Sequence, residues 1–120
     1  KKHNKQVIFK TNSEDILISE KQRAIACIHI VLEAVENACL HSFTTSVTVS
    51  ITEENNLLTI HISDEGKGFN VNEYEEAKSG GILEMEERAL FLGGEFSINS
   101  EIGRGTSVYL KIKESVEVEI

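Results

Sequence analysis

Apolar and polar residues change period along the chain, and each period predicts an element. Gln6 to Lys10 (QVIFK) and Ile16 to Ile18 alternate as short strands around the turn residues Thr11, Asn12 and Ser13. Ser19 reads as a helix N-cap, with Gln22 three residues later completing a capping box. From Glu20 to about Ser42 the spacing is helical, and Ala24, Ile28, Val31, Leu32, Val35 and Cys39 form the stripe expected to face the core. Val47, Val49 and Ile51 alternate with Thr48, Ser50 and Thr52. Leu58, Ile60 and Ile62 do the same beyond the turn residues Asn55–Asn56, which predicts a hairpin. Asp64 to about Gly81 is polar and glycine-containing, a loop long enough to be functional or mobile. Ile82, Met85, Ala89 and Leu92 make a second helical stripe, stopped by Gly93–Gly94. Glu95 to Asn99 and Thr106 to Lys113 predict a second hairpin around Gly103–Arg104–Gly105, and Ser115 to Ile120 alternate as a frayed extension.

Strands segregated from a few helices imply an α+β fold, a two-layer sandwich. The 120 residues are enough for one domain with one core, and 40% hydrophobic content can fill it. Residues 1–120 therefore read as a single domain, with 1–5 and 114–120 as frayed ends; Lys1 to Lys5 resemble the cut edge of a longer protein. The longest apolar stretch is far short of a membrane span, and no signal-peptide pattern opens the chain. Cys27 and Cys39 fall in one helical pattern, so they are expected as thiols in a reducing compartment. A net charge of −8 argues against nucleic acid and anionic membrane surfaces as partners. It leaves a phosphate ligand open, because Mg²⁺, backbone amides and a few local cations can hold one.

Four segments carry candidate chemistry. Glu33 and Asn37 are four apart on the long helix and share a face at the rim of the core. An Asn carbonyl oxygen suits Mg²⁺ and a nearby carboxylate can accept a proton, although such a pair alone also fits a solvated polar face. Asp64-Glu65-Gly66-Lys67-Gly68-Phe69 follows directly on a predicted strand. An ionised Asp is acceptor-only and can take a hydrogen bond from an adenine amino group, whereas a guanine would present a carbonyl there. Gly66 and Gly68 remove Cβ where the backbone turns sharply or approaches a flat base, though an ordinary turn is the alternative. Ser79-Gly80-Gly81 could offer amides at a helix N-terminus, and Gly103-Arg104-Gly105-Thr106 reads as a tight turn, with the Thr106 hydroxyl a candidate addition to the site. P-loop and dinucleotide fingerprints are absent, as are a calcium loop and zinc-ligand spacing, and His29 reads as structural.

Taken in order, these segments resemble the ATP-binding (GHKL, or Bergerat-fold) domain of sensor histidine kinases, which implies a two-layer α/β sandwich with a mixed, mostly antiparallel sheet. Glu33-Ala34-Val35-Glu36-Asn37-Ala38-Cys39-Leu40-His41-Ser42 is similar to the family's N box. The Asp64–Phe69 segment is similar to its G1 box, and Gly103-Arg104-Gly105-Thr106 to its last glycine box. Gly81-Ile82-Leu83-Glu84-Met85-Glu86-Glu87-Arg88, followed by Leu92-Gly93-Gly94, resembles the subgroup that pairs with NarL/LuxR-type response regulators. The resemblance spans roughly Ser19 to Ile112.

The resemblance implies ATP and Mg²⁺ as cofactors, with Asn37 as Mg²⁺ ligand and Glu33 as the catalytic carboxylate near the γ-phosphate. It implies Asp64 at the adenine amine, with Gly66, Gly68, Gly105 and Thr106 around the base, His41 within the N box, and Gly80 and Gly81 in a lid over the phosphates. Phosphoryl transfer to a histidine on a separate dimerisation domain is the implied reaction, since the acceptor lies outside this chain. A response regulator is then the further partner, the isolated domain is expected to be monomeric, and the location cytoplasmic, on a soluble or membrane-attached sensor. Two departures bear on the phosphate end. Leu40 stands where the subgroup has Lys or Arg, and Ser79 and Glu84 stand at lid positions that are glycine in the subgroup. Lys67, Lys78, Arg88 and Arg104 are the cations available to compensate. The alternatives are a degenerate nucleotide-binding module, a serine kinase of the anti-sigma-factor type, and a gyrase- or chaperone-type ATPase.

Overall fold

The computed structural model describes residues 6–12, 21–41, 46–68, 70 and 81–113. The strands are β1 (Gln6–Thr11), β2 (Ser46–Glu54), β3 (Leu57–Asp64), β4 (Glu95–Glu101) and β5 (Gly105–Lys113), and the helices are α1 (Lys21–His41) and α2 (Ile82–Leu92). The strands form one sheet in the order β1-β2-β3-β5-β4. Only β1 on β2 is parallel; every other pairing is antiparallel. The expected mixed, mostly antiparallel α+β sandwich is what the chain adopts. The predicted strand at Ile16–Ile18, the Ser19 cap and the tail after Lys113 lie outside the described residues.

Local chemistry accounts for the joints. Asn55 and Asn56 both take positive φ (54° and 64°), the conformation a two-residue hairpin turn requires and Asn tolerates. α2 ends on Gly93 at φ 67°, whose amide bonds Leu90 O at 3.0 Å while Gly94 N reaches Ala89 O at 2.9 Å. That pair of bonds closes the last helical carbonyls. Gly94 is required for a second reason, because a Cβ there would meet Ile112 Cγ2 at 2.5 Å and Lys111 O at 2.8 Å. Asn12 extends the β1 pairing with its side chain, its amide nitrogen on Glu53 O (2.9 Å) and its amide oxygen accepting from Glu53 N (3.0 Å).

The core lies between one sheet face and the two helices. Val47, Val49, Leu58, Ile60, Ile62, Val108, Leu110 and Ile112 meet Ile82, Met85, Ala89 and Leu92 of α2. From α1 the buried apolar residues are Ala26, Cys27, Ile30, Ala34 and Ala38, which corrects the predicted stripe in part. Ile28 and Leu32 are 54% and 61% exposed, whereas Val31, Val35 and Cys39 are half-buried and pack against the core from its edge. Helix α1 is apolar on two faces, and the sheet takes the one with small residues because they let the helix lie close. Residues of one helical period cannot themselves say which face wins. Among the described residues, no helix is long and apolar enough to cross a membrane.

Candidate functional site

Arg23, in the first turn of α1, sets the relative directions of the elements. Its guanidinium donates to Leu92 O at the end of α2 (3.1 Å) and to Lys113 O at the end of β5 (2.8 Å). Lys113 pairs with Leu57, the first residue of β3. The start of α1 therefore lies beside the start of β3 and the end of α2. Fourteen residues along the helix, at about 1.5 Å each, bring Asn37 level with the far end of β3, which rises about 3.3 Å per residue to Asp64. The N-terminus of α2 points the same way, and a Cβ on its cap residue Gly81 (φ 92°) would collide with the Glu33 carboxylate. Glu33, Asn37, Asp64, Gly81 and the start of β5 are thus gathered toward one end of the sandwich.

At the sheet side of this end, Asp64 closes β3 and pairs with Thr106 of β5. One carboxylate oxygen, Oδ1, accepts from Gly66 N at 2.8 Å, so the loop's first turn orients the side chain. Gly68 (φ 69°) is buried beneath the β4–β5 turn, where a Cβ would collide with Glu101 O. Gly103 N donates to Lys67 O at 2.6 Å across the same contact. Gly105 (φ 87°) lies against Asp64 O just as tightly. The two glycine segments, remote in sequence, are backbone-on-backbone, and that closeness excludes any side chain at Gly68 or Gly105. The glycines were expected where the backbone turns sharply or approaches a flat base, and the described structure shows the two segments packed on each other.

Thr106 is buried, and its hydroxyl lies 2.8 Å from Ser100 Oγ. Ser100 in turn donates to Gly105 O at 3.2 Å. Ser100 was not singled out from the sequence; the available signal was its position opposite Thr106 in the hairpin register.

On the helical side, Asn37 is 4% exposed and Glu33 half-buried. His29, Leu32, Glu33 and Glu36 of α1 face Glu84 and Arg88 of α2 across a groove of about 420 Å³. Burial first, and then the nearby Glu36 and Glu84 carboxylates, push the Glu33 carboxyl above its ordinary 4.5, with Arg88 pulling the other way. Glu84 thus stands against the catalytic candidate, a proximity the sequence raised but could not place. Arg88 shares that groove, whereas Arg104 sits on the β4–β5 turn 3.5 Å from Glu101, an exposed pair of little energetic weight. His41 ends α1, with its side chain outside the described residues, as are Gly80, Ser79, Lys78 and the side chain of Leu40.

No group of three or more His, Cys, Asp or Glu among the described residues could hold a metal. A Mg²⁺ that keeps several waters and leans on substrate phosphates needs only one or two protein oxygens, and Asn37 can supply one. The residues present fit that kind of site.

Residues 22–116 match the family model described as histidine kinase-, DNA gyrase B- and HSP90-like ATPase. The chain is 37% identical over 97 residues to the signal transduction histidine-protein kinase/phosphatase DegS of Bacillus subtilis, covering 79% of this chain and 25% of that protein. It is 43% identical over 82 residues to the sensor protein VraS of Staphylococcus aureus, covering 68% of this chain and 23% of that one. The chain thus spans about a quarter of the length of these curated relatives. Among solved structures, the histidine kinase domain of a blue-light activated histidine kinase from Erythrobacter litoralis EL346 superposes with a TM-score of 0.71. At 20% identity, over 93% of this chain and 52% of that one, the likeness is one of fold.

Proposed function

The chain belongs to the family of histidine kinase-, DNA gyrase B- and HSP90-like ATPases, and from that premise we propose that it binds Mg·ATP and passes the γ-phosphate to a histidine on a separate dimerisation domain of the same protein. The observation that carries the reading is the Asp64 carboxylate, oriented by Gly66 N and walled by the Gly68–Gly105 contact at the end to which Glu33, Asn37 and the α2 N-terminus point. Asp64 accepts from the adenine amino group, and a guanine carbonyl would leave two acceptors facing each other. Gly66, Gly68, Gly105 and Thr106 bound the base. Asn37 is the Mg²⁺ ligand, and the metal when bound supplies charge neutralisation at the phosphates.

The first amides of α2, from Gly81 onward, face the phosphate end, where a helix N-terminus favours negative charge. By the resemblance, Gly80 belongs to the lid segment and His41 to the N-box segment that serve the phosphates. Glu33, its carboxyl raised toward neutrality by burial, orients the acceptor imidazole and takes its ring proton. The receiving partner downstream is a response regulator of the NarL/LuxR type, and the domain works as a monomeric unit in the cytoplasm. Labelled ATP tests the site: Asp64→Asn is expected to abolish Mg²⁺-dependent binding and Asn37→Ala to weaken it. Equal binding by Asp64→Asn and the unaltered protein would overturn the assignment.

One observation favours a second reading, a nucleotide-binding module of low transfer activity. Glu84 lies close enough to raise the Glu33 carboxyl, and the same charge would oppose a phosphate. Autophosphorylation of the full-length protein separates the two, since abundant phosphohistidine excludes the second.

A further inference from the structure

Asp64, Thr106 and Ser100 form one row across three strands, since Asp64 of β3 pairs with Thr106 of β5, and Thr106 with Ser100 of β4. Two residues along each strand stand Ile62, Val108 and Ile98, which are in the core or packed against it. Side chains alternate along a strand, so the row lies on the helix-facing side of the sheet. Ile60, Leu110 and Phe96 form the next rank behind. Across these strands the face is apolar until the candidate site, where a carboxylate and two hydroxyls take over.

The direction of the hydrogen bonds in this row is set from its far end. Ser100 Oγ lies 3.2 Å from Gly105 O and 2.8 Å from Thr106 Oγ1. A carbonyl oxygen only accepts, so the single hydroxyl hydrogen of Ser100 goes to Gly105 O. The hydrogen of the shorter contact then comes from Thr106. Both side chains are buried, so bulk water does not compete for these hydrogens. With its own hydrogen turned toward Ser100, the Thr106 hydroxyl keeps only lone pairs for a ligand. Asp64 beside it, about 5 Å away between Cβ atoms of paired residues, presents a carboxylate that is likewise an acceptor. Two neighbouring acceptors match a nitrogen that carries two hydrogens. Resting on the adenine reading proposed above, we infer that Ser100 is a positioning residue for base specificity: by taking the Thr106 hydrogen it makes that hydroxyl a second acceptor for the purine 6-amino group. A purine with a carbonyl at that place meets two acceptors where Asp64 alone would offer one. Ser100 touches no ligand and acts through Thr106.

The test compares equilibrium binding of ATP and of inosine triphosphate, which carries a carbonyl in place of the amino group, to the full-length protein with Mg²⁺ present. Ser100→Ala frees the Thr106 hydroxyl to donate. The preference for ATP over inosine triphosphate is expected to fall about tenfold, the weight of one hydrogen bond changing direction. Ser100→Thr, which keeps a hydroxyl, is expected to retain the preference. Ser100→Cys, whose thiol hydrogen-bonds only weakly, is expected to lower it in part, and carries the test if the alanine variant does not fold. Thr106→Val is expected to lower the preference as well, and adding Ser100→Ala to it to change the preference no further. Equal weakening of both nucleotides in Ser100→Ala and Ser100→Cys is what a merely structural role would give, and overturns the inference. A further fall in the Thr106→Val background overturns action through Thr106. Absence of ATP binding in the unaltered protein is a different result and removes the nucleotide reading itself.

Discussion

Glu33, the carboxylate proposed to serve transfer, departs from what stability alone would select. Its carboxyl is raised above the ordinary value chiefly by burial, so the folded state holds a proton there more tightly than the unfolded chain does. Stability from this group is therefore fully present below pH 4.5 and is lost as pH rises through the folded-state value. At neutral pH the ionised carboxylate works against the fold. Glu33→Gln is expected to raise the thermal midpoint at pH 7.5, and the gain to vanish as the pH is lowered to about 4, read by circular dichroism melts at both values. The same substitution is expected to remove phosphohistidine formation while ATP still binds. Stability gained where transfer is lost is the mark of a residue kept for chemistry.

The sheet carries a comparable device on its open face. His61 of β3 and Tyr109 of β5 are register partners, and their rings stack at 4.0 Å with 5° between planes. The Nε2 of His61 is buried without a hydrogen-bond partner in the described structure, and burial lowers the imidazole below its ordinary 6.5. The sign is opposite in consequence to that of Glu33: the folded state disfavours the proton, so stability is complete above pH 6.5 and falls as pH drops below it. His61→Phe keeps a ring over Tyr109, and its melting temperature is expected to change less between pH 7.5 and 5.5 than that of the unaltered protein.

At this scale of elements the sequence was informative where one pattern had one meaning. The β2–β3 hairpin, the α2 stripe and the Gly93–Gly94 stop stand where alternation and turn chemistry put them, and α1 runs Lys21–His41 against an expected Glu20–Ser42. The buried side of α1 was not legible, because both its faces are apolar and only packing decides between them. Nor was it legible that β1 and β2 would be the parallel pair of the mixed sheet, which depends on where the chain returns after α1. For the candidate site, Asp64 and the glycine segments were legible as motifs. Their mutual contact, and the Ser100 hydroxyl behind Thr106, were not, because local pattern says nothing about which loops meet.

At the end remote from the candidate site, one side chain among the described residues ties three elements together. Arg23 joins the first turn of α1 to the last carbonyls of α2 and β5. Arg23→Ala is expected to lower stability by about 1–2 kcal/mol, the range for charge-assisted hydrogen bonds at a half-buried position, measured by urea denaturation. Arg23→Lys is expected to recover little, because one ammonium cannot reproduce a fork that spans two elements.

The backbone contact between Gly68 and the Gly103–Gly105 turn has a further consequence, for assembly. The wall it forms joins a segment after β3 to one just before β5, so no stretch of chain ending short of Gly105 contains it. A nucleotide pocket built there is completed only when the last strand has docked. Ligand added during refolding would then find nothing to bind until that step, and would afterwards draw the equilibrium toward the finished domain by mass action.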